Sequence, residues 1–391
     1  MSRKLLLLML LALLIGTLNL ASRVEKAKAS GTVYIRADGS VEPEGTPIST
    51  FDNVTYTLTG NIYDAIAVQR SNIMIDGAGY KLQATGPYTY IGIDLGDQTN
   101  VTVTHLEVVD FYYGIQVSGS NNKIADNTVT ENAYGIVLLG GFKNNVTGNN
   151  VTANMEGIHV RPDALGVPIC SNHRISGNTL KRNHWGIEIK YSCNNTISEN
   201  TIALGATGLL VHYSSMYNSV IYNNITYNTD YGIYLFESSN NTIHHNNITQ
   251  NTDGIYLRES SNNTVYHNNF IDNTQQVHQP WWDYPAIPAS VNVWDDGYPS
   301  GGNYWSDYAA RYPNATEIDG SGVWNTSYVI DANNTDHYPL MNVTPIPEFP
   351  SLVMPLFMIA TLLTAIVYRR KGSTMRSKDF SDSEVFNQVQ I

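Results

Sequence analysis

Tyr231-Gly-Ile-Tyr-Leu-Phe-Glu-Ser-Ser-Asn-Asn-Thr-Ile-His-His-Asn-Asn-Ile-Thr-Gln-Asn251 is followed, one residue later, by Asp253-Gly-Ile-Tyr-Leu-Arg-Glu-Ser-Ser-Asn-Asn-Thr-Val-Tyr-His-Asn-Asn-Phe-Ile-Asp-Asn273. The glycines Gly232 and Gly254 lie 22 residues apart, and fainter copies run backwards through Gly208, Gly186, Gly157, Gly135, Gly114 and Gly92. Most intervals are 21 to 24 residues, while the one from Gly157 to Gly186 is 29 and contains an insertion. A fixed period in this range marks a solenoid, whose units bury their apolar faces only against neighbouring units.

Within a unit Ile233 and Leu235 point one way, and Tyr234 and Phe236 the other, which is strand periodicity. Ser-Ser-Asn-Asn then makes a bend, because Asn tolerates a left-handed backbone. Two further short strands follow, Thr242-Ile243-His244 and Asn247-Ile248-Thr249. Three strands and three bends per unit predict an all-β, right-handed parallel β-helix of about 22 residues per coil. Asn127, Asn149, Asn178, Asn200, Asn223, Asn246 and Asn268 hold one place in successive units and predict an inward amide ladder. A second series, Asn132, Asn154, Asn183, Asn228, Asn251 and Asn273, closes most units. No segment between the two chain ends keeps a 3.6-residue apolar period, so the body is not helical.

Charged residues make up only 14% of the 391, and the net charge is −12. With no basic stripe, a nucleic-acid partner is excluded. The two cysteines, Cys170 and Cys193, fall one position out of register on neighbouring coils when counted from Ile175 and Ile197. That spacing permits a disulfide; the alternative is two isolated thiols.

Residues 1–29 read as a secretory signal, with Arg3 and Lys4 before an apolar run and Ala27-Lys28-Ala29 as the cleavage motif. Residues 30–75 form an N-terminal cap with Tyr56 in its first strand, 76–275 carry the repeats, and 276–344 form an aromatic, Gly-rich C-terminal cap. In this cap Trp281, Trp282, Trp294, Trp305 and Trp324 either pack on the last coil or make a sugar platform. Residues 345–348 are a Pro-containing linker, and 349–368 form an uncharged run long enough to span a membrane. Arg369, Arg370 and Lys371 place the 369–391 tail in the cytoplasm, so the protein is expected at the cell membrane with its bulk outside. Sequons at Asn53, Asn100, Asn145, Asn150, Asn224, Asn247, Asn314 and Asn342 are glycan acceptors or simply turn sequence, the outward-facing ones being better acceptors than the ladder.

His267-Asn-Asn-Phe-Ile-Asp-Asn273, Trp294-Asp-Asp-Gly-Tyr-Pro-Ser-Gly-Gly-Asn-Tyr-Trp-Ser-Asp-Tyr308, Asp336-His-Tyr-Pro-Leu-Met341 and the opening Thr32-Val-Tyr-Ile-Arg-Ala-Asp-Gly-Ser40 resemble the NosD-type β-helix proteins, in particular archaeal surface members. The likeness spans about residues 32–342. Pro347-Glu348-Phe349, with the span and basic residues, resembles archaeal PEF-type sorting tails, although this chain continues to Ile391. The resemblance implies the fold and an exported location. It brings a copper-handling label, and a wider group that includes polysaccharide lyases, epimerases and glycoside hydrolases. Fold alone does not choose among these.

Stacking outward positions by register gathers His159, Arg161, Glu188, Lys190 and His212 on one face. A polysaccharide lyase needs a base beside a uronate carboxylate and a cation to neutralise it. Arg161 or Lys190 supplies the cation, and His159, Lys190 or His212 the base; the alternative is a solvated polar patch. For a metal, His245 and His267 are direct neighbours with His244 alongside, a loose site for copper or zinc, or else incidental histidines. Asp295-Asp296-Gly297 and Asp319-Gly320-Ser321-Gly322 suggest calcium loops without the full ligand spacing. The expected function is a membrane-anchored extracellular glycan-binding or structural module. The alternatives are a lyase or epimerase using the His159–His212 face, and a copper-handling accessory protein.

Overall fold

A computed structural model of the chain describes residues 31–86, 90–163, 169–280 and 286–346. The apolar run 349–368 and the leader 1–29 lie outside the described residues, as do Trp281 and Trp282. Among the described residues no helix is long and apolar enough to cross a membrane.

The body is a right-handed parallel β-solenoid of about 10 turns and about 22 residues per coil. Its strands stack into sheets of 12, 11 and 10 strands, pairing in parallel from coil to coil except for the antiparallel edge strands Val41–Glu42 and Ile48–Ser49. Each coil sends one or two branched aliphatics inward from each strand, as in Ile233, Leu235, Ile243 and Ile248, all at most 1% exposed. The result is one continuous apolar core, and the strands read as short alternating runs because one face is always covered.

Two devices turn the chain at each bend. A residue in the left-handed region comes first: Glu199, Tyr222, His245 and His267 have φ of 64°, 58°, 56° and 54°. The next residue is an inward Asn, whose amide bridges coils. In the Asn200–Asn223 step, Oδ1 of Asn223 accepts from both the backbone N–H and the Nδ2 of Asn200, at 3.0 and 2.9 Å. Nδ2 of Asn200 also donates to the Ile175 carbonyl at 2.9 Å. The bends therefore leave few buried backbone groups unpaired, which is the condition for a tightly wound coil. The repeat glycine has another cause. A Cβ at Gly157 would sit 2.5 Å from the Gly186 carbonyl oxygen, so only hydrogen fits between adjacent turns.

The expected ladder forms, and the second series also bridges coils, with a break where Gly205 stands between Asn183 and Asn228. A further ladder runs through Asn122, Asn144, His173, Asn195, Asn218, Asn241, Asn263 and Asn292. Cys170 and Cys193 lie directly opposite each other, not one position apart. The bend from Cys170 to His173 holds one more residue than that from Cys193 to Asn195, yet His173 and Asn195 are ladder partners, so the bend absorbs the offset. Cys193 is disulfide-bonded, and the chain has only two cysteines.

Coil geometry reaches further than the repeat signal. Val33–Ile35 already pairs in parallel with Ile66–Val68, and Thr55–Leu58 with Met74–Asp76, inside the stretch read as an N-terminal cap. At the other end Gln275–His278 and Tyr304–Trp305 add another turn. Asn334 and Asp336 then end two ladders. Asn334 Oδ1 accepts from the Asn292 N–H and Trp294 Nε1, and Asp336 Oδ2 from the Asn303 N–H and Trp305 Nε1. Trp294 and Trp305 are each 1% exposed, and Trp305 stacks between Phe270 and Tyr328 at 4.4 and 4.2 Å. These two tryptophans seal the core end and present no sugar platform.

Candidate functional site

The outer face of the 12-stranded sheet collects the chemistry. One column runs Asp94, Gln116, Val137, His159, Glu188, Leu210, Tyr234, Tyr256 and His278. Beside it runs Tyr113, Tyr134, Glu156, Trp185, Thr207, Tyr231 and Asp253. The first column follows the expected register throughout.

At the centre four side chains converge. Glu188 bridges the two imidazoles: Oε1 lies 2.5 Å from His212 Nε2, and Oε2 lies 2.7 Å from His159 Nδ1. Glu156 Oε2 contacts the same His159 Nδ1. All four are buried, at 4% exposure for Glu156, 5% for His159, 2% for Glu188 and 7% for His212. Burial pushes the Glu156 carboxyl up to about 7, and the adjacent Glu188 adds to the shift. Burial also works against charge on Glu188, but the adjacent imidazoles of His159 and His212 outweigh it and hold that carboxylate well below the usual range. Desolvation likewise opposes charge on His159, and the two carboxylates override it, leaving the imidazole raised. Neighbouring carboxyls are thus driven apart in proton affinity, a pattern that clusters at functional sites.

Arg161 and Lys190 sit at the rim, half-buried, with Lys190 Nζ 5.2 Å over the Tyr213 ring. The five expected residues therefore share one face, with the histidines and Glu188 turned into one another and the two cations left outside. Glu156 was missed, because it precedes the repeat glycine, where other coils carry Ile, Tyr, Trp, Thr or Asp. The only sequence signal is an acid at the place that Tyr134 and Trp185 occupy in adjacent coils.

Aromatic groups flank the centre. Tyr90, Tyr112, Tyr113 and Tyr134 contact one another on one side, with Tyr90 and Tyr112 stacked at 4.7 Å. On the other side Tyr231, Tyr234 and Tyr256 pack at 4.6 to 5.0 Å, with His278 against Tyr256. Burial holds the Tyr234 hydroxyl above its ordinary range and pushes that of Tyr256 to about 12, so both remain neutral donors. Beyond Tyr90 the face opens into a hollow of about 460 Å³ lined by Asp64, Ala67 and Asp94.

The other expected metal position lies on the 11-stranded sheet side. His244 and His245 meet through their Nδ1 atoms at 2.9 Å, and the His245 and His267 rings are 4.9 Å apart. Burial lowers His245 to about 4, with His267 and His244 adding to it, and burial also lowers His244. His267 Nε2 is 2.9 Å from the Ser300 carbonyl oxygen. Among the described residues, three metal-ligating side chains whose donor atoms lie within 4.8 Å of one another occur only at Glu156, His159 and Glu188. In the acidic loops, Asp295 accepts from the Gly297 and His337 N–H groups, and Asp319 accepts from the Tyr298 hydroxyl.

A family model described as periplasmic copper-binding protein (NosD) matches residues 163–310, and one described as right handed beta helix region matches 22–164. No curated protein matches the chain. Among solved structures, the periplasmic alginate epimerase AlgG aligns at 16% identity over 64% of this chain and 71% of its own, with a TM-score of 0.45. The A-module of a mannuronan C-5 epimerase from Azotobacter vinelandii aligns at 17% identity, covering 68% and 90%, with a TM-score of 0.42. The Dettilon tailspike protein aligns at 15%, covering 74% and 71%, with a TM-score of 0.47. These are likenesses of fold. The coils, the ladders and the two adjoining family matches agree, and together they support a NosD-like right-handed parallel β-helix protein.

Proposed function

We propose that this protein is a surface-displayed β-helix that binds an acidic polysaccharide lengthwise along the outer face of its 12-stranded sheet. The observation that carries the reading is the pair of tyrosine groups, Tyr90–Tyr134 and Tyr231–Tyr256, on one face on either side of a polar centre. Flat rings with neutral hydroxyls offer apolar stacking and hydrogen bonds at low entropy cost, which suits sugar rings. Arg161, Lys190 and Arg258 rim the same face, so an acidic chain is favoured although the whole protein is negative. The leader at 1–29 and the uncharged run 349–368 before Arg369, Arg370 and Lys371 support export with retention at the membrane.

Affinity electrophoresis of the full chain tests this. Gels containing a polyuronate should retard it, gels containing dextran should not, and Tyr231→Ala/Tyr256→Ala should restore free mobility. Equal mobility in all gels would remove the proposal.

A lyase or epimerase is the second reading, favoured by Arg161 and Lys190 beside two imidazoles. Burial weighs against it: at 5% and 7% exposure His159 and His212 face carboxylates, and a sugar does not reach them in this conformation. Ultraviolet absorbance of an unsaturated uronate product, abolished by Lys190→Ala, would reverse that preference.

A further inference from the structure

We propose that Glu156, His159 and Glu188 hold one divalent transition-metal cation, with His212 fixing the Glu188 carboxylate from outside the coordination shell. This site does not depend on the glycan reading.

Hydrogen bonding alone leaves the cluster unfinished. His159 Nδ1 faces two carboxylate oxygens, Glu156 Oε2 and Glu188 Oε2, and a nitrogen with a single hydrogen serves only one of them well. Glu188 Oε2 is buried and 2.7 Å from that nitrogen, yet makes no aligned hydrogen bond. A cation placed among the three donors satisfies them together. It also balances charge, since two carboxylates and one divalent ion sum to zero.

The donor set says which ion. Two carboxylate oxygens and one imidazole suit zinc(II) or copper(II); cuprous copper takes thiolate or thioether sulfur, which this set lacks. Copper, the metal in the matched family's description, therefore fits these residues only in its divalent form. Metal–donor bonds of roughly 2.0–2.2 Å put tetrahedral neighbours about 3.3–3.6 Å apart, so the donors must open on binding by roughly 0.6–1 Å. His212 Nε2, 2.5 Å from Glu188 Oε1, is the hydrogen-bonding group that orients a ligating carboxylate.

The test uses the untagged full chain, stripped with chelator, loaded with zinc or copper(II), dialysed and assayed for metal per chain by mass spectrometry. One equivalent is expected, lost in His159→Ala and in Glu188→Gln, unchanged in His245→Ala, and held roughly 10- to 100-fold more weakly in His212→Gln. Wild type retaining no metal, or metal lost in His245→Ala and kept in His159→Ala, would overturn the proposal. Should the cluster variants fail to fold, X-ray absorption of the zinc-loaded wild type decides. Mixed imidazole and carboxylate ligation supports the site, and imidazole-only or water-only ligation overturns it. Neither readout involves a glycan, so failure here leaves the polysaccharide reading standing, and the reverse.

Discussion

The Asn144 backbone N–H donates to His173 Nδ1 at 3.1 Å, so an imidazole fills a position that asparagine holds in the coils on either side. His173 is 1% exposed, and burial drives its proton affinity from 6.5 down to about 4, against an opposing interaction with the Gly140 backbone. Protonation would remove the lone pair that accepts from Asn144.

This ladder position is therefore sensitive to acid. The folded value lies below the unfolded one, so the contribution to stability is full above pH 6.5 and is lost as pH falls towards 4. The difference corresponds to about 3 kcal/mol. His173→Asn keeps an acceptor for Asn144 and removes the titration. Denaturant midpoints at pH 7 and pH 4.5 should fall further in the wild type than in the variant; parallel declines would contradict the assignment.

The ladder ends should be as costly to remove as its middle. Asp336→Ala leaves the Asn303 N–H and the Trp305 Nε1 without their acceptor in the sealed end of the core. Each orphaned donor costs roughly 1–3 kcal/mol. Thermal unfolding should show a lower midpoint together with a change in tryptophan fluorescence, since Trp305 loses its anchor. An unchanged midpoint would show that the terminal turn does not close the solenoid.

Gly157→Ala tests why the repeat needs glycine. The added methyl would meet the Gly186 carbonyl oxygen at 2.5 Å and Leu180 Cδ2 at 3.0 Å. Separating two coils by that clash should cost about 1–3 kcal/mol, read as a lowered denaturant midpoint. Stability equal to the wild type would mean that the turns are less tightly stacked than described.

The parts legible in the sequence were those that repeat. Glycine spacing gave the coil, and the outward column from Asp94 to Tyr256 held because each strand fixes its neighbour's register. The third ladder was hidden because His173 interrupts it and Asn292 and Asn334 lie beyond the regular period. The Cys170–Cys193 register was missed for a related reason, since a bend absorbs a residue that counting cannot place. Glu156 and the burial of His159 and His212 were out of reach for another reason. Side chains beside a repeat glycine and the cover over a sheet face are set by packing between coils, not by alternation along one strand.

Salt gives an independent reading of the basic rim. If Arg161, Lys190 and Arg258 steer an acidic chain, raising ionic strength should weaken binding progressively, because exposed charges are screened beyond about 8–10 Å at physiological salt. Arg258→Ala, which removes a cation lying 4.8 Å over the Phe236 ring, should flatten that dependence. A salt-independent affinity would point to neutral sugars instead.

The most direct measurement is calorimetric titration of the full chain with uronate oligosaccharides of increasing length. From Tyr113 to Tyr256 the face crosses seven strands, or about 29 Å at ~4.8 Å per coil. Affinity should therefore rise with each added sugar until both tyrosine groups are spanned, at roughly six units if each sugar matches one coil, and then level off. Binding that saturates at one or two units, or no heat at any length, would contradict an extended polysaccharide face.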